Sequence, residues 1–271
     1  MVSFPPCKIN LGLHVIRKRN DGFHDIETCF YPLPYSDILE VIPEQQFGFT
    51  TSGLNIPGNP DDNLCVRAYM MLQEEGHVRT SAQIHLHKII PSGAGLGGGS
   101  SDAAYTLRSL NTVFNLNLSI QQQESYAARL GSDCAFFVHD SAMIGTGRGE
   151  ILVPVDVPLT GKFLVLLNPG IHVSTAVAFA GVAPSESRPG IASLVREPVT
   201  KWRNLLVNDF EKTVFARYPA IGDIKEKLYE AGALYAAMSG SGASVFGVFS
   251  DIFETSGVFE EDVLLWKGVL P

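Results

Sequence analysis

The spacing of apolar residues divides the chain into short strands and helices, with most of the strands in its first half. Alternating or continuous apolar runs predict strands there at residues 9–15, 38–42, 47–51 and 82–90. Helical spacing predicts three helices, with caps in the run Asp61-Asp62-Asn63, at Ser100 or Ser101, and at Ser119. Further short apolar runs predict strands at 135–138, 142–145, 151–155 and 163–167.

The second half alternates helices with strands in an irregular order. Helices are predicted at 204–215 and 220–231, and strands at 235–238, 244–249 and 263–265. Residues 181–196 are rich in proline, serine and glycine, which predicts a mobile loop. Because strands and helices do not alternate regularly, the pattern indicates an α+β fold. A boundary at 154–161 divides it into an N-terminal domain, 1–155, and a C-terminal domain, 156–271.

One stretch between a predicted strand and a predicted helix contains almost no bulky side chains: Pro91-Ser92-Gly93-Ala94-Gly95-Leu96-Gly97-Gly98-Gly99-Ser100-Ser101. Without Cβ atoms the main chain can approach an anion closely, and the helix that follows directs its unpaired N–H groups and its positive dipole end at the same place. The segment therefore predicts a binding site for a triphosphate.

Two named glycine motifs fit this loop poorly. A Walker loop needs a lysine at its end, whereas Gly99 is followed directly by Ser100. Gly93, Gly95 and Gly98 have the dinucleotide spacing, but no carboxylate occurs between residues 115 and 119, where the ribose ligand is expected. A second small-residue loop, 239–244, joins two apolar strands and is either a hairpin turn or another phosphate-binding loop.

Composition limits the possible partners and location. The chain has 271 residues, a net charge of −8 and four scattered cysteines without metal or disulfide spacing. We expect a cytoplasmic protein with small-molecule partners, with neither a nucleic-acid nor a membrane surface, and either a monomer or a weak homodimer.

Phosphoryl transfer needs a base near the acceptor hydroxyl and a cation near the charge that moves. Lys8 begins an apolar strand, and Asp133 directly precedes another apolar run. Taken alone, Lys8 is more simply a solvated charge and Asp133 a turn carboxylate. Their position on either side of a nucleotide loop favours functional roles.

Three segments in this order resemble the three motifs of the galactokinase, homoserine kinase, mevalonate kinase and phosphomevalonate kinase (GHMP) superfamily: 6–11, 91–104 and 238–243. Within it, the segments Arg19–Thr28, Asp62–Ala68 and Gly131–Phe137 most resemble the 4-diphosphocytidyl-2-C-methyl-D-erythritol kinases. The similarity extends from about Phe4 to Val248 and is weak only beyond it.

This resemblance implies an α+β fold of two domains, the first like domain 2 of ribosomal protein S5 and the second a ferredoxin-like sandwich. It implies phosphorylation by ATP and Mg²⁺ of the 2-hydroxyl of a cytidine-diphosphate-linked methylerythritol, a step of non-mevalonate isoprenoid precursor synthesis. It assigns the base to Asp133 and the neighbouring catalytic lysine to Lys8. It leaves the protein ligands of the metal unknown, with Ser101 as a candidate.

Other site residues also come from the resemblance alone. Positions that match the ATP site are Asn63, Lys88, Pro91, Ser92, Gly93, Ala94, Gly95, Leu96, Gly97, Gly98, Gly99, Ser100 and Ser101. Positions that match the acceptor site are Asn10, Phe23, His24, Thr175, Phe179, Gly240, Ser241 and Gly242. His24 is the residue that would read cytosine, and Phe23 stands where the family more often has tyrosine.

Several alternatives remain open from the sequence. A related small-alcohol kinase, for homoserine or mevalonate, and a non-catalytic nucleotide-binding regulator would share the three motifs. His85 and His87 lie on one face of a strand, which is either a metal pair or a solvent-facing side, and the alternation with Ile84 and Leu86 favours the second. Cys134, beside Asp133, is interpreted as a buried thiol.

Overall fold

The computed structural model describes every residue from Met1 to Pro271. Its strands are β1 (Val2–Ser3), β2 (Pro6–Lys18), β3 (His24–Ser36), β4 (Ile38–Glu44), β5 (Gly48–Gly53), β6 (Ser81–Lys88), β7 (Met143–Thr146), β8 (Ile151–Pro154), β9 (Phe163–Leu167), β10 (Tyr235–Met238), β11 (Val245–Phe249) and β12 (Leu264–Val269). Its helices are α1 (Leu64–Glu74), α2 (Gly98–Val113), α3 (Ile120–Leu130), α4 (Thr175–Ala180), α5 (Ile191–Leu194), α6 (Trp202–Leu205), α7 (Glu211–Arg217) and α8 (Pro219–Glu230). Three short 3-10 helices cover Pro60–Asp62, Cys134–Val138 and Val199–Lys201. Every helix is too short or too polar to cross a membrane.

Contacts between residues divide the chain into two compact units that alternate along the sequence. The first unit consists of Met1–Lys8, Pro32–Ser92 and Gly97–Asp140, and the second of Ile9–Tyr31, Gly93–Leu96 and Ser141–Pro271. This interleaving differs from one division at residue 155, so the domain bounds 1–155 and 156–271 stay a prediction.

The first unit combines a four-stranded sheet with helices. The strand order is β1-β4-β6-β5, with β5 parallel to β6 and the other pairs antiparallel. Every second residue of β6 is buried, and α2 packs against β4, α1 and α3. His85 and His87 lie on the more exposed face of β6, where they hydrogen-bond with the hydroxyls of Thr50 and Ser52. The solvent-facing interpretation of this pair is therefore confirmed.

The second unit contains one four-stranded sheet and most of another, because the start of β2 and the end of β3 belong to the first unit. Their orders are β2-β3-β7-β8 and β10-β11-β9-β12. Helix α8 packs against β10 and β11, and its Leu228 is buried in a core with Val165 and Val245. The continuous apolar runs predicted for β9, β10 and β11 are confirmed as fully buried strands.

Several predicted elements are wrong in kind. Residues 135–138 form part of a 3-10 helix instead of a strand, because a short apolar run fits a buried helical turn equally well. The predicted helix 204–215 is interrupted, since residues 206–210 lie between α6 and α7, where Asn208 bridges to Leu13. Residues 181–196, predicted as a mobile loop, contain α5 with a buried Ile191.

Strand β3 was not predicted at all. It carries Pro32 and Pro34, which ordinarily exclude a segment from a strand interior. Its central residues nevertheless pair with β7, with Cys29 opposite Ile144. Helix α2 also begins earlier than predicted. Its N-cap is Gly97, in the left-handed region at φ +70°, and not Ser100 or Ser101.

Candidate active site

Lys8 and Asp133 lie together in the first unit. Lys8 is in β2 and is 3% exposed, whereas Asp133 precedes the 3-10 helix Cys134–Val138 with its side chain 32% exposed. The lysine Nζ is 3.3 Å from Oδ2 of the aspartate. The pairing of a buried cation with a partly exposed carboxylate can accept a proton and stabilise negative charge at the same place.

The end of the glycine loop lies beside this pair. A Cβ on Gly97 would be 3.1 Å from Lys8 Cε and 3.0 Å from the Phe137 ring, so only glycine fits there without a shift. Helix geometry leaves the N–H groups of Gly98, Gly99 and Ser100 without acceptors inside α2. The first turn of α2 therefore presents open N–H groups next to Lys8, and such groups can bind an anion.

Ser101 lies in that first turn and is fully buried. Its Oγ has no hydrogen-bond partner. A buried hydroxyl without a partner is unusual, because the loss of hydration costs about 1–3 kcal/mol. This observation singles out Ser101 among the residues of the turn as a possible oxygen ligand.

Lys88 occupies a buried ion cluster in the first unit. Its Nζ donates to Asp37 and, at 2.7 Å, to Asp102. Asp37 also accepts hydrogen bonds from the main-chain N–H groups of Ile89 and Ile90, at 2.5 and 2.8 Å. Burial raises the pKa of Asp102 to about 8. Lys88 thus joins the end of β6 to helix α2 through its bond to Asp102. Its Nζ also lies close to the start of that helix, 3.0 Å from the place that a Cβ on Gly98 would occupy.

Asn63 borders a cavity of about 200 Å³ in the first unit, together with Phe49, Thr51 and the segment Ile56–Pro60. Its side chain also caps α1, because Oδ1 accepts from the N–H of Cys65 at 2.9 Å. The cavity has both apolar and polar walls, a combination typical of small-ligand sites.

In the second unit, the start of the glycine loop meets the 239–242 loop. The Ser239 hydroxyl donates to the Gly95 carbonyl at 2.9 Å, and the N–H of Ser244 donates to the Ala94 carbonyl at 3.1 Å. A Cβ on Gly95 would be 2.1 Å from the Ser239 carbonyl oxygen, so the two main chains are in direct contact. The two small-residue loops therefore lie in direct contact.

Asn10 joins the same group. Its Oδ1 is 3.4 Å from the Ser239 hydroxyl, and its Nδ2 donates to Thr28 at 2.9 Å. Gly240 is close to both Asn10 and Gly95. Residues from all three sequence motifs therefore meet within the second unit.

His24 and Phe179 form an aromatic group in the second unit. Their rings stack at 4.6 Å with an angle of 20° between planes, and Phe210 supports Phe179 edge-on. Phe23 is half exposed beneath the guanidinium of Arg148 at 5.1 Å. Thr175 begins α4 one turn before Phe179, so both are on one face of that helix.

Some residues that shape the site were missed by sequence reasoning. Asp37 and Arg148 follow no recognisable spacing, and only their final contacts reveal them. Asp102 lies within the motif at 91–104, but it was given no role there. The helix break at Asn208 had a weak signal in the sequence, because an Asn-Asp pair inside a helical pattern favours an interruption of the helix. The interpretation of Cys134 as a buried thiol agrees with its environment, since burial raises its pKa to about 12.

Comparisons with known proteins identify the family. The model of the GHMP kinases N-terminal domain matches residues 63–141, and that of the GHMP kinases C-terminal domain matches residues 191–252. A 4-diphosphocytidyl-2-C-methyl-D-erythritol kinase of Cytophaga hutchinsonii is 51% identical over 94% of both chains. One of Bacteroides thetaiotaomicron is 47% identical over the whole of both chains. The chain belongs to the 4-diphosphocytidyl-2-C-methyl-D-erythritol kinase family.

Solved structures agree with membership of this kinase family. A crystal structure of 4-(cytidine 5'-diphospho)-2C-methyl-D-erythritol kinase matches with a TM-score of 0.79 and 30% identity, covering 93% of this chain and 91% of that one. A homoserine kinase from Cytophaga hutchinsonii matches with a TM-score of 0.66 at 16% identity, over 91% of this chain and 85% of that one, which shows the fold alone. The predicted α+β GHMP kinase fold of two domains is confirmed.

Proposed function

We propose that this chain transfers the γ-phosphoryl group of ATP to the 2-hydroxyl of 4-diphosphocytidyl-2-C-methyl-D-erythritol, which yields the 2-phosphate and ADP. Family membership over nearly the whole chain supports the reaction. The single observation that supports the chemistry is the 3.3 Å pair of Lys8 and Asp133 beside the first turn of α2. The enzyme thereby serves non-mevalonate isoprenoid precursor synthesis.

In this proposal Asp133 takes the proton of the acceptor hydroxyl. The hydroxyl oxygen then forms a bond to the γ-phosphorus, the bond from that phosphorus to the bridging oxygen breaks, and ADP leaves. Lys8 stabilises the negative charge on the transferred group. The first turn of α2 binds the phosphates through its N–H groups.

The remaining ATP contacts are assigned by position. We place the adenine in the cavity lined by Asn63. Residues Pro91–Ser101 enclose the phosphates. Lys88 contributes indirectly, because its ion pair with Asp102 holds α2 in place.

Magnesium fits this site through one observation, the buried Ser101 hydroxyl without a hydrogen-bond partner. A hydroxyl oxygen suits this hard cation, which binds few protein ligands when it is shared with phosphates. When bound, the ion neutralises phosphate charge. Ser101 would hold it in the first turn of α2.

The acceptor contacts belong to the second unit. His24 reads the donor and acceptor edge of cytosine, and the rings of Phe23 and Phe179 supply stacking surfaces. Asn10, Thr175 and the loop Gly240–Gly242 complete the acceptor site. We also propose a cytoplasmic location, because the four cysteines are free and buried thiols.

An acceptor panel tests this function. Purified protein with Mg-ATP is incubated with the cytidylated methylerythritol, homoserine or mevalonate, and ADP release and ³¹P spectra are recorded. We expect ADP and a new phosphomonoester with the cytidylated compound alone. ADP with homoserine or mevalonate instead would support a related alcohol kinase. Nucleotide binding without turnover on any acceptor would support a regulator.

A further inference from the structure

Asn208 makes an unusual set of hydrogen bonds in the second unit. It is 3% exposed, and its Nδ2 donates to the carbonyl oxygens of Met238 and Gly240, both at 2.8 Å. Its Oδ1 accepts from the N–H of Phe210 at 3.0 Å. Both amide protons are therefore committed to the main chain of the 239–242 loop and its first flanking residue.

The main chain on either side of these carbonyls is also held by hydrogen bonds within the protein. Glu211 accepts from the N–H of Met238 at 2.9 Å, and the Ser239 carbonyl accepts from the N–H of Gly242 at 3.0 Å. Three consecutive carbonyls, from Met238 to Gly240, are thus hydrogen-bonded inside the protein. The N–H groups of Gly240 and Ser241 have no acceptor within the second unit. A loop with its carbonyls occupied and its N–H groups open is an anion-binding nest.

The break between α6 and α7 is what brings Asn208 to the 239–242 loop. Apolar spacing favours one helix over 204–215, yet Leu206 is extended at φ −93° and ψ 105°. The N–H of Leu13 donates to Val207, and the N–H of Asp209 donates to Leu13, both at 2.9 Å. The chain therefore exchanges helical hydrogen bonds for strand-like ones, and this places Asn208 beside the loop. A local sequence preference that is overridden in this way often marks a functional position.

We propose that Asn208 is a positioning residue for phosphoryl transfer: it turns the Met238 and Gly240 carbonyls into the protein so that the N–H groups of Gly240 and Ser241 face the diphosphate of the acceptor. Asn208 itself does not touch the substrate. The inference rests on the function proposed above.

The decisive variant is Asn208→Asp, which keeps the shape but removes both donors and sets a carboxylate against two carbonyl oxygens. We expect the KM for the cytidylated acceptor to rise at least tenfold, because the loop turns out of its binding conformation. The KM for ATP should stay within threefold, and the thermal midpoint within a few degrees. Asn208→Ala, which removes the donors without adding charge, should raise the acceptor KM by a smaller factor.

Asn168→Asp is the matched control. Asn168 is also buried in the second unit, but its Nδ2 donates to the Ser244 hydroxyl at 2.9 Å and its Oδ1 accepts from Gly170. A hydroxyl can turn to donate to a carboxylate, so this variant should keep both KM values.

A second measurement does not depend on turnover. Amide exchange at Gly242, whose N–H is hydrogen-bonded to the Ser239 carbonyl, should be faster in Asn208→Ala than in the wild type, and unchanged in Asn168→Asp. A wild type without activity on the acceptor would contradict the proposed function and not this inference. An active wild type whose Asn208 variants keep the acceptor KM and the exchange rates would overturn the inference. Equal increases in both KM values with a lowered thermal midpoint would also overturn it, because they indicate a structural role alone.

Discussion

Burial separates the roles of Lys8 and Asp133. A lysine ammonium that is 3% exposed lacks most of its hydration, and the carboxylate at 3.3 Å compensates for that loss. Asp133 is about one-third exposed, so its other lone pairs remain open to a hydroxyl donor. A single ion pair thereby holds a fixed cation and an accessible carboxylate in one place.

Replacement of Asp133 should affect chemistry without affecting nucleotide binding. Asp133→Asn keeps the side-chain shape but cannot take a proton, and we expect kcat to fall by about 10²–10⁴-fold. Calorimetry should give an unchanged Kd for ATP. Asp140→Asn is the control, because Asp140 pairs with Arg108 at the surface of the same unit. A kcat within threefold of the wild type would remove Asp133 from the mechanism.

His24 should act on acceptor affinity. His24→Ala removes the hydrogen-bonding ring and its stack on Phe179, so we expect the acceptor KM to rise about 10- to 100-fold while the KM for ATP is retained. His77→Ala serves as the control, since His77 contacts Tyr126 in the first unit. Steady-state kinetics with each substrate varied in turn distinguishes the two. An unchanged acceptor KM would contradict the cytosine assignment.

At the scale of elements, the start of α2 depends on main-chain geometry more than on side-chain caps. Sequence reasoning located the helix and the glycine loop before it, because glycine density and apolar spacing are local signals. It misplaced the cap, since left-handed Gly97 replaces the usual serine cap. It also missed the break at Asn208, where hydrogen bonds to Met238 and Gly240 override helical spacing. Such contacts lie about 30 residues apart and leave no local pattern.

Two alanine substitutions at the start of α2 should distinguish an effect on protein stability from an effect on ATP binding. Gly97→Ala forces a Cβ into the left-handed region and toward Phe137, and should lower stability by about 1–3 kcal/mol. Gly99→Ala meets no atom within 4 Å in a helical position, so the thermal midpoint should hold or rise slightly. The new methyl group would, however, crowd the phosphate, and the Kd for ATP should increase. Equal thermal midpoints for both variants would contradict this account.

At the scale of the whole molecule, the sequence predicts the fold class but not the interleaving of the two units. The chain passes between units five times, after Lys8, Tyr31, Ser92, Leu96 and Asp140. Composition and periodicity show where one strand or helix ends and the next begins. They do not show which distant segments contact one another. The boundary predicted at residue 155 reflects a proline- and glycine-rich stretch, which is a local signal of the same kind.

Glu211 gives the stability of the second unit a dependence on pH. Its carboxyl lies 2.6 Å from Lys225 Nζ, but burial outweighs that attraction and raises its pKa above 4.5. The folded unit therefore binds this proton more tightly than the unfolded chain does. The resulting stabilisation is complete below pH 4.5 and is lost as the pH rises through the higher folded pKa.

Glu211→Gln removes this titration, so the unfolding free energy of the wild type relative to the variant should decrease as the pH rises from 5 to 8. Both tryptophans, Trp202 and Trp266, lie in the second unit, so urea titrations followed by their fluorescence report on that unit alone. Glu197→Gln is the matched control, because Glu197 forms an exposed pair with Lys201 and should give a difference that is constant over this range. A wild-type advantage over Glu211→Gln that grows with pH would show that the Lys225 pair, and not burial, controls this carboxyl.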